Sequence, residues 1–242
     1  MPTILAHIQS SDVLKMYNAL LALRKVAKRY EYKSKSDRQP LNDIVQVSFP
    51  YLQQLMTVVI THNSIEAAQV MKMCLKIFWS ATMYQLPQVS GVDVNFWFQM
   101  IAQVLDKVLP EASEGIEPLG QPTDVEERAT WPWWKLKKWA ARIASQFIQR
   151  YGNPRHADKA NMQFAQFFRS HTAAQLLAPI MNTLAHRAKG HFITDDVHRM
   201  CIGYVTSCVE MSPTYKILKP HLSFIVTSIA FPTLCLTDTD LR

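Results

Sequence analysis

The sequence predicts an all-α fold, and three observations support this prediction. Apolar residues recur at spacings of three and four along nearly the whole chain of 242 residues, which is the spacing of one helix face. No long segment alternates apolar and polar residues as a strand would. The chain has only six glycines, well below the roughly 7% of an average protein. That scarcity argues against hairpin-rich β folds and glycine-lined phosphate loops.

Start and stop signals divide the chain into eight helices. Ser11 and Asp12 can cap the first, and either Asn63 or Ser64 can cap the third. Pro50 is expected to bend or split the second, and Pro179 to break the sixth. The segment Tyr151-Gly-Asn-Pro is typical of a helix end. The expected helices span residues 12–30, 41–61, 64–86, 93–109, 132–151, 158–187, 194–211 and 214–236, and residues 1–10 form the end of a preceding helix.

These helices follow one another in pairs with short links. Sequential antiparallel pairs are typical of an α-solenoid, so the chain 1–242 is interpreted as one repeat array. The repeats share no obvious residue pattern, and their spacing is longer than that usual for HEAT or armadillo units. An ordinary globular helical domain is therefore the alternative.

A long break separates the fourth helix from the fifth. Residues 110–130 contain three prolines, two glycines and five glutamates, and loops of this length are commonly mobile or functional. Its glutamates either solvate the loop or bind a basic cargo segment at low specificity. The candidate cargo contacts are Glu114, Glu117, Glu126 and Glu127.

The fifth helix begins with four tryptophans and three lysines in nine residues, WPWWKLKKW (131–139). A nucleic-acid patch, a membrane-surface helix and a helix packed between neighbours could each have this composition. On a helical wheel, Trp133 joins the apolar stripe, whereas Lys135 and Lys138 lie opposite it. Stacking on bases requires rings and cations on one exposed face, so the wheel favours packing, with Trp134 and Trp139 on the flanks of the stripe.

The sequence contains no recognisable catalytic or metal-binding motif. GxGxxG, GxxxxGK[ST], GxSxG and HExxH are all missing, and the histidines and four cysteines lack ligand spacing. Cys201 and Cys208 are expected to be buried thiols. No enzyme activity, cofactor or metal is expected. The net charge of +7 permits an acidic partner, and residues 222–236 are too short for a membrane span.

The tryptophan-rich segment WPWWKLKKWAARIASQFIQRYGNP (131–154) resembles a known family. It is similar to a helix of importins seven and eight and their fungal counterparts, a branch of the importin-beta superfamily of nuclear transport receptors. Further collinear matches are LLALRKVAKRYEYKSKSDRQPL (20–41), VSFPYL (47–52) and YKILKPHLSFIVTSIAFPTLCLTDTD (215–240). The resemblance covers essentially the whole chain and implies that the chain is an internal fragment of a longer receptor.

The resemblance implies a right-handed α-solenoid of about four HEAT repeats, each with an outer and an inner helix. It pairs 12–30 with 41–61, 64–86 with 93–109, 132–151 with 158–187, and 194–211 with 214–236. Pockets between outer helices would accept phenylalanines of nucleoporin repeats. The candidate nucleoporin or inter-repeat contacts are Trp79, Trp133, Trp134 and Trp139.

The resemblance also implies a shuttling protein of the cytoplasm and nucleus. Its partners would be cargo such as ribosomal proteins and histones, nucleoporins and, in the full receptor, Ran-GTP. The family's first repeats, which make its main Ran contact, are missing here, so Ran binding by this chain is not expected. The family is usually acidic, whereas this chain is basic, so acidic cargo is a second option. A helical scaffold or adaptor without a transport role is the alternative function, and a nucleic-acid binder would bind in a salt-dependent way.

Overall fold

The computed structural model describes residues 2–87, 93–109, 121–153 and 159–234. Every regular element in these ranges is a helix, and the ranges contain no strand. The predicted all-α fold is therefore confirmed.

The first five helices are α1 Pro2–Ile8, α2 Val13–Arg29, α3 Gln39–Val59, α4 Ile65–Thr82 and α5 Val94–Asp106. Three of them, α2, α4 and α5, begin next to a capping residue at the expected position. The carboxylate of Asp12 accepts hydrogen bonds from the backbone N–H groups of Leu14 and Lys15. Ser64 and Asp93 cap two later helices in the same way, which satisfies N–H groups that lack a partner within the helix.

Pro50 does not split α3, which runs unbroken from Gln39 to Val59. A proline removes one backbone hydrogen bond and crowds the preceding turn. Here the adjacent Phe49 and nearby Leu52 are completely buried, so the helix gains core packing on both sides of the proline. That burial outweighs the lost bond.

A short helix occupies the end of the segment expected to be a loop. Helix α6 spans Val125–Thr130, and the Asp124 carboxylate accepts from the Glu127 N–H at its start. The polar composition of 110–130 concealed this capped turn, and residues 110–120 lie outside the described residues. Helix α7 then spans Pro132–Tyr151, as predicted. The Gly152 N–H bonds Ile148 O at its end, where a side chain would collide with Ile148 and Met211.

The remaining helices contain two π-helical turns. The expected break at Pro179 is wrong, because α9 continues through it and buries Leu176, Leu177 and Ile180. The sixth predicted helix corresponds to α8 Met162–Phe167, a π turn Phe168–Thr172 and α9 Ala173–Ala188. The seventh is α10 Asp195–Val209, and the eighth comprises α11 Ser212–Leu218, a 3₁₀ turn, α12 Leu222–Phe224, a π turn Ile225–Ala230 and α13 Phe231–Leu234.

The chain divides into two compact units, Met1–Ala140 and Ala141–Arg242, with the boundary inside α7. In the first unit the helices form two layers. One layer contains α2, α4 and the start of α7, because α4 packs on α2 and Trp79 contacts Trp139. The other contains α1, α3 and α5, with α3 packed against both neighbours. This is the arrangement expected of stacked helix pairs.

An aromatic cluster fills the first unit. Trp97 of α5 lies with its ring centroid 4.8 Å from Phe78 and 5.3 Å from Phe49, and all three side chains are fully buried. Phe78 also contacts Phe98 edge-on. These rings come from α3, α4 and α5, so the cluster joins the two layers.

The second unit has its own aromatic cluster. Phe147 and Tyr151 of α7 contact Phe164 and Phe168 at ring distances from 4.9 to 6.4 Å. Helix α9 packs on α10, on α11 and on the π turn 225–230. The Tyr204 hydroxyl donates to Ala173 O at 3.0 Å, which joins α10 to the start of α9.

The continuous helix Ser212–Leu234 is long and apolar enough to cross a membrane by length and composition alone. It is longer than the apolar stretch expected from the sequence because α11 extends it at its start. Val226, Phe231 and Leu234 are exposed on it.

Candidate functional site

Trp79 and Trp139 form a pair between two neighbouring helices of the same layer. Their ring centroids lie 5.9 Å apart in an edge-to-face arrangement, which suits the opposite charges of ring face and ring edge. Both side chains are only half-buried. The Lys76 ammonium lies 5.2 Å from the centre of the Trp139 ring. The pair therefore presents partly open apolar surface between α4 and α7.

Trp133 and Trp134 are placed differently, with only 1% and 5% of their surface exposed. The Lys107 ammonium lies 5.0 Å from the Trp133 ring centre, and the Trp134 indole N–H donates to Gln121 Oε1 at 2.9 Å. These two rings contact their own chain. Of the four candidate tryptophans, the structure brings Trp79 and Trp139 together at the surface and uses the others for packing between helices.

The candidate glutamates are only partly covered by the described residues. Glu126 and Glu127 lie exposed in the first turn of α6, where negative charge is favoured by the helix dipole. Glu114 and Glu117 lie outside the described residues. Glu126 and Glu127 are thus adjacent in sequence, and both are accessible to a cationic partner.

Arg38 is a buried arginine immediately before α3. Its guanidinium donates to Glu31 O at 2.7 Å, Ala81 O at 2.7 Å and Gln85 O at 3.3 Å. The first carbonyl follows the end of α2, and the other two lie at and beyond the end of α4. Helix C-termini carry unpaired carbonyls and partial negative charge, so Arg38 fastens two helix ends together.

Lys107 and Lys137 bind carbonyls near the ends of α3 and α5, in the other layer. Lys107 Nζ donates to Ile60 O at 3.0 Å and His62 O at 3.2 Å, just beyond α3. Burial lowers the pKa of Lys107. The buried Lys137 donates to Leu105 O, close to the end of α5, at 2.6 Å. Part of the positive charge of this chain is therefore structural.

A second group of cations faces outward across three helices and is named here the basic surface. It comprises Arg24 and Lys28 on α2, Lys72 and Lys76 on α4, and Lys135 on α7. Burial, followed by repulsion from the other four cations, lowers the pKa of Lys76 to about 8. Burial and Lys135 also lower the pKa of Lys72. Lys76 on the central helix therefore lies close enough to the other four cations to be repelled by them.

The described residues contain neither a cluster of metal ligands nor a reactive thiol. No group of three or more metal-ligating side chains occurs there. Cys74, Cys201 and Cys208 are buried thiols, as predicted for the last two. Burial raises the pKa of Cys74 and Cys208 to about 12, so these thiols stay protonated and unreactive. The described surfaces are suited to binding.

Comparison with known proteins points to one family. The chain is 34% identical over 230 residues to the importin beta-like SAD2 homolog of Arabidopsis thaliana, covering 93% of the chain. It is 30% identical over 241 residues to importin-8 of Danio rerio, covering 98% of the chain. It is 24% identical over 243 residues to nonsense-mediated mRNA decay protein 5 of Saccharomyces cerevisiae, covering 97% of the chain.

The chain spans only 22–23% of the length of these relatives. No family model and no solved structure matches it. The stacked helix pairs agree with the HEAT-repeat solenoid fold of importins. A similarity that covers nearly all of the chain, and falls on an internal part of each relative, leads to one conclusion: the chain belongs to the importin-beta family of nuclear transport receptors.

Proposed function

We propose that this chain is part of a nuclear import receptor and contributes a contact for the phenylalanine-glycine repeats of nucleoporins. The observation that supports the proposal most strongly is the half-buried pair of Trp79 and Trp139 between α4 and α7. We propose that this layer is the outer one, as the family resemblance implies. Shallow apolar sites between such helices suit a single phenylalanine ring.

A contact of this kind is weak on its own. One phenylalanine covers only part of the two indole rings, and the residues beside it in the peptide stay in solvent. High affinity therefore requires several linked contacts. Weak individual contacts also allow rapid release, which passage through a pore requires. The proposed mechanism is reversible binding, without any chemical step.

The same proposal covers the other partners. Protein cargo, including basic proteins such as histones and ribosomal proteins, would be carried by the whole receptor and released by Ran-GTP. Glu126 and Glu127 on α6, together with Glu114 and Glu117, are proposed contacts for a basic cargo segment. The receptor would shuttle between cytoplasm and nucleus.

Replacing Trp139 by alanine is expected to weaken nucleoporin binding about five- to tenfold, the usual effect of removing an aromatic side chain central to a contact. The helical content should not change, because the ring is only half-buried. The measurement is fluorescence anisotropy of a labelled phenylalanine-glycine repeat peptide, with circular dichroism of each variant.

Tyr215→Ala is the matched control, since it removes an exposed ring from α11, and it should bind the peptide like the unmodified chain. Equal affinities for the Trp139 variant, the control and the unmodified chain would remove this pair from the site. If the unmodified chain failed to bind the peptide at all, the result would favour the scaffold or adaptor function.

A further inference from the structure

We infer that the basic surface of α2, α4 and α7 is a docking site for an acidic peptide segment of a partner protein. This inference does not rest on the proposed nucleoporin contact. It rests on the placement of Arg24, Lys28, Lys72, Lys76 and Lys135 on three adjacent helices and on the scarcity of acidic residues within those helices.

The described helices that carry this surface contain almost no negative charge to balance it. Helices α2 and α7 contain no acidic residue, and α4 contains only Glu66, in its first turn. Among the described residues, the five cations form no ion pair. Arg24 and Lys28, like Lys72 and Lys76, are four residues apart, a spacing at which like charges destabilise a helix.

The cations also have a regular layout. Helix α4 lies between α2 and α7, and Lys76 is repelled by Arg24 and Lys28 on one side and by Lys135 on the other. Neighbouring helix axes lie roughly 8–10 Å apart, so an extended chain rising about 3.4 Å per residue crosses the three helices in about six residues. A short acidic segment therefore reaches every helix of the surface.

An acidic peptide fits this surface better than a nucleic acid. Single-stranded nucleic acids stack their bases on open aromatic faces between the cations. The Trp139 ring next to Lys135 packs edge-to-face on Trp79, and the Lys76 ammonium lies near its face, so the pair leaves room for one apolar side chain but not for the successive ring faces on which a strand of bases stacks. Carboxylates can pair with the lysines without any ring face.

The experiment measures binding of a fluorescent Asp/Glu-rich peptide of about 12 residues, twice the length needed to cross the surface. The test variant is the triple substitution Lys72→Gln, Lys76→Gln and Lys135→Gln. The control is Lys33→Gln, Lys189→Gln and Lys216→Gln, three exposed lysines outside the surface, with the same change in net charge. We expect the test variant to weaken binding at least about tenfold at low salt, and the control less than about twofold.

Charge reversal at one exposed position provides a second variant that does not threaten folding. Lys135→Glu removes repulsion with Lys72 and Lys76 and places an acid in the first part of α7, where the helix dipole favours it. The variant is expected to unfold at a higher urea concentration than the unmodified chain and yet bind the acidic peptide more weakly. A merely structural cluster would not produce a more stable protein with lower affinity.

The affinity should also depend on pH. Lys76 attracts the peptide only when protonated, and its pKa of about 8 reflects burial and the facing Arg24, Lys28, Lys72 and Lys135. Affinity is therefore expected to fall between pH 7 and pH 9, and to fall less in Lys76→Gln. Equal loss in the test and control triple variants would overturn the inference. So would tighter binding of an oligothymidylate than of the peptide at the same surface, which would assign the surface to nucleic acid.

Discussion

Replacement of Trp97 by alanine is expected to lower the free energy of unfolding by about 3–5 kcal/mol, the usual cost of emptying a large aromatic position in a core. The side chain is fully buried and contacts Phe49, Phe78 and Phe96. Its removal would leave a cavity where α3, α4 and α5 meet. Urea-induced unfolding followed by circular dichroism measures the effect.

Trp97→Phe separates two contributions of Trp97 to stability, the packing of its ring and the burial of its indole N–H group. The indole Nε1 of Trp97 is buried without a hydrogen-bond partner among the described residues, so phenylalanine removes an unsatisfied donor while it keeps a ring in the cluster. The expected loss is about 1–2 kcal/mol. A loss under about 1 kcal/mol for the alanine variant would contradict the central place of this cluster.

Arg38→Ala is expected to destabilise the chain by about 2–4 kcal/mol, because it leaves buried carbonyls unpaired at the ends of two helices. The guanidinium bonds Glu31 O, Ala81 O and Gln85 O, and Arg38 is only 3% exposed. The loss of this connection should also speed hydrogen exchange at the end of α4, which can be measured by mass spectrometry.

Arg38→Lys is the informative control. Lysine keeps the positive charge but lacks the planar fork that reaches several carbonyls at once, so an intermediate loss of stability is expected. Full stability in the lysine variant would show that charge alone matters at this position. Full stability in the alanine variant would show that Arg38 does not hold the helix ends.

Most of the fold could be predicted from local signals. Asp12, Ser64 and Asp93 mark helix starts by side-chain chemistry that acts within one turn, and the Tyr151-Gly152 stop is equally local. Neither Pro50 nor Pro179 splits its helix, and the reason is the same at both positions. Each proline lies in a helix whose neighbouring residues are buried in tertiary contacts, and a local rule does not include that burial.

The candidate site was predictable only in part. The helical wheel placed Trp139 on a flank of the apolar stripe, and in the structure its side chain is half-buried beside Trp79. The wheel also placed Trp134 on a flank, but its ring is buried by contacts with distant residues such as Gln121. The roles of Arg38, Lys107 and Lys137 depend on carbonyls that are between 7 and 47 positions away, which no local pattern reveals.

The charge of +7 shows the same limit. Composition treats all cations alike, but the structure distinguishes Arg38, Lys107 and Lys137, which bind helix-end carbonyls, from the five cations of the basic surface on α2, α4 and α7. The basic surface is the group that we propose binds an acidic partner.

The most direct test of the transport function is retention of the chain on immobilised phenylalanine-glycine nucleoporin repeats at low and high salt, with serine-glycine repeats as the control. An apolar contact at Trp79 and Trp139 is insensitive to screening by salt. The predicted result is retention on the phenylalanine column alone at both salt concentrations. Elution from both columns alike, or retention that disappears at high salt, would contradict the proposed nucleoporin contact.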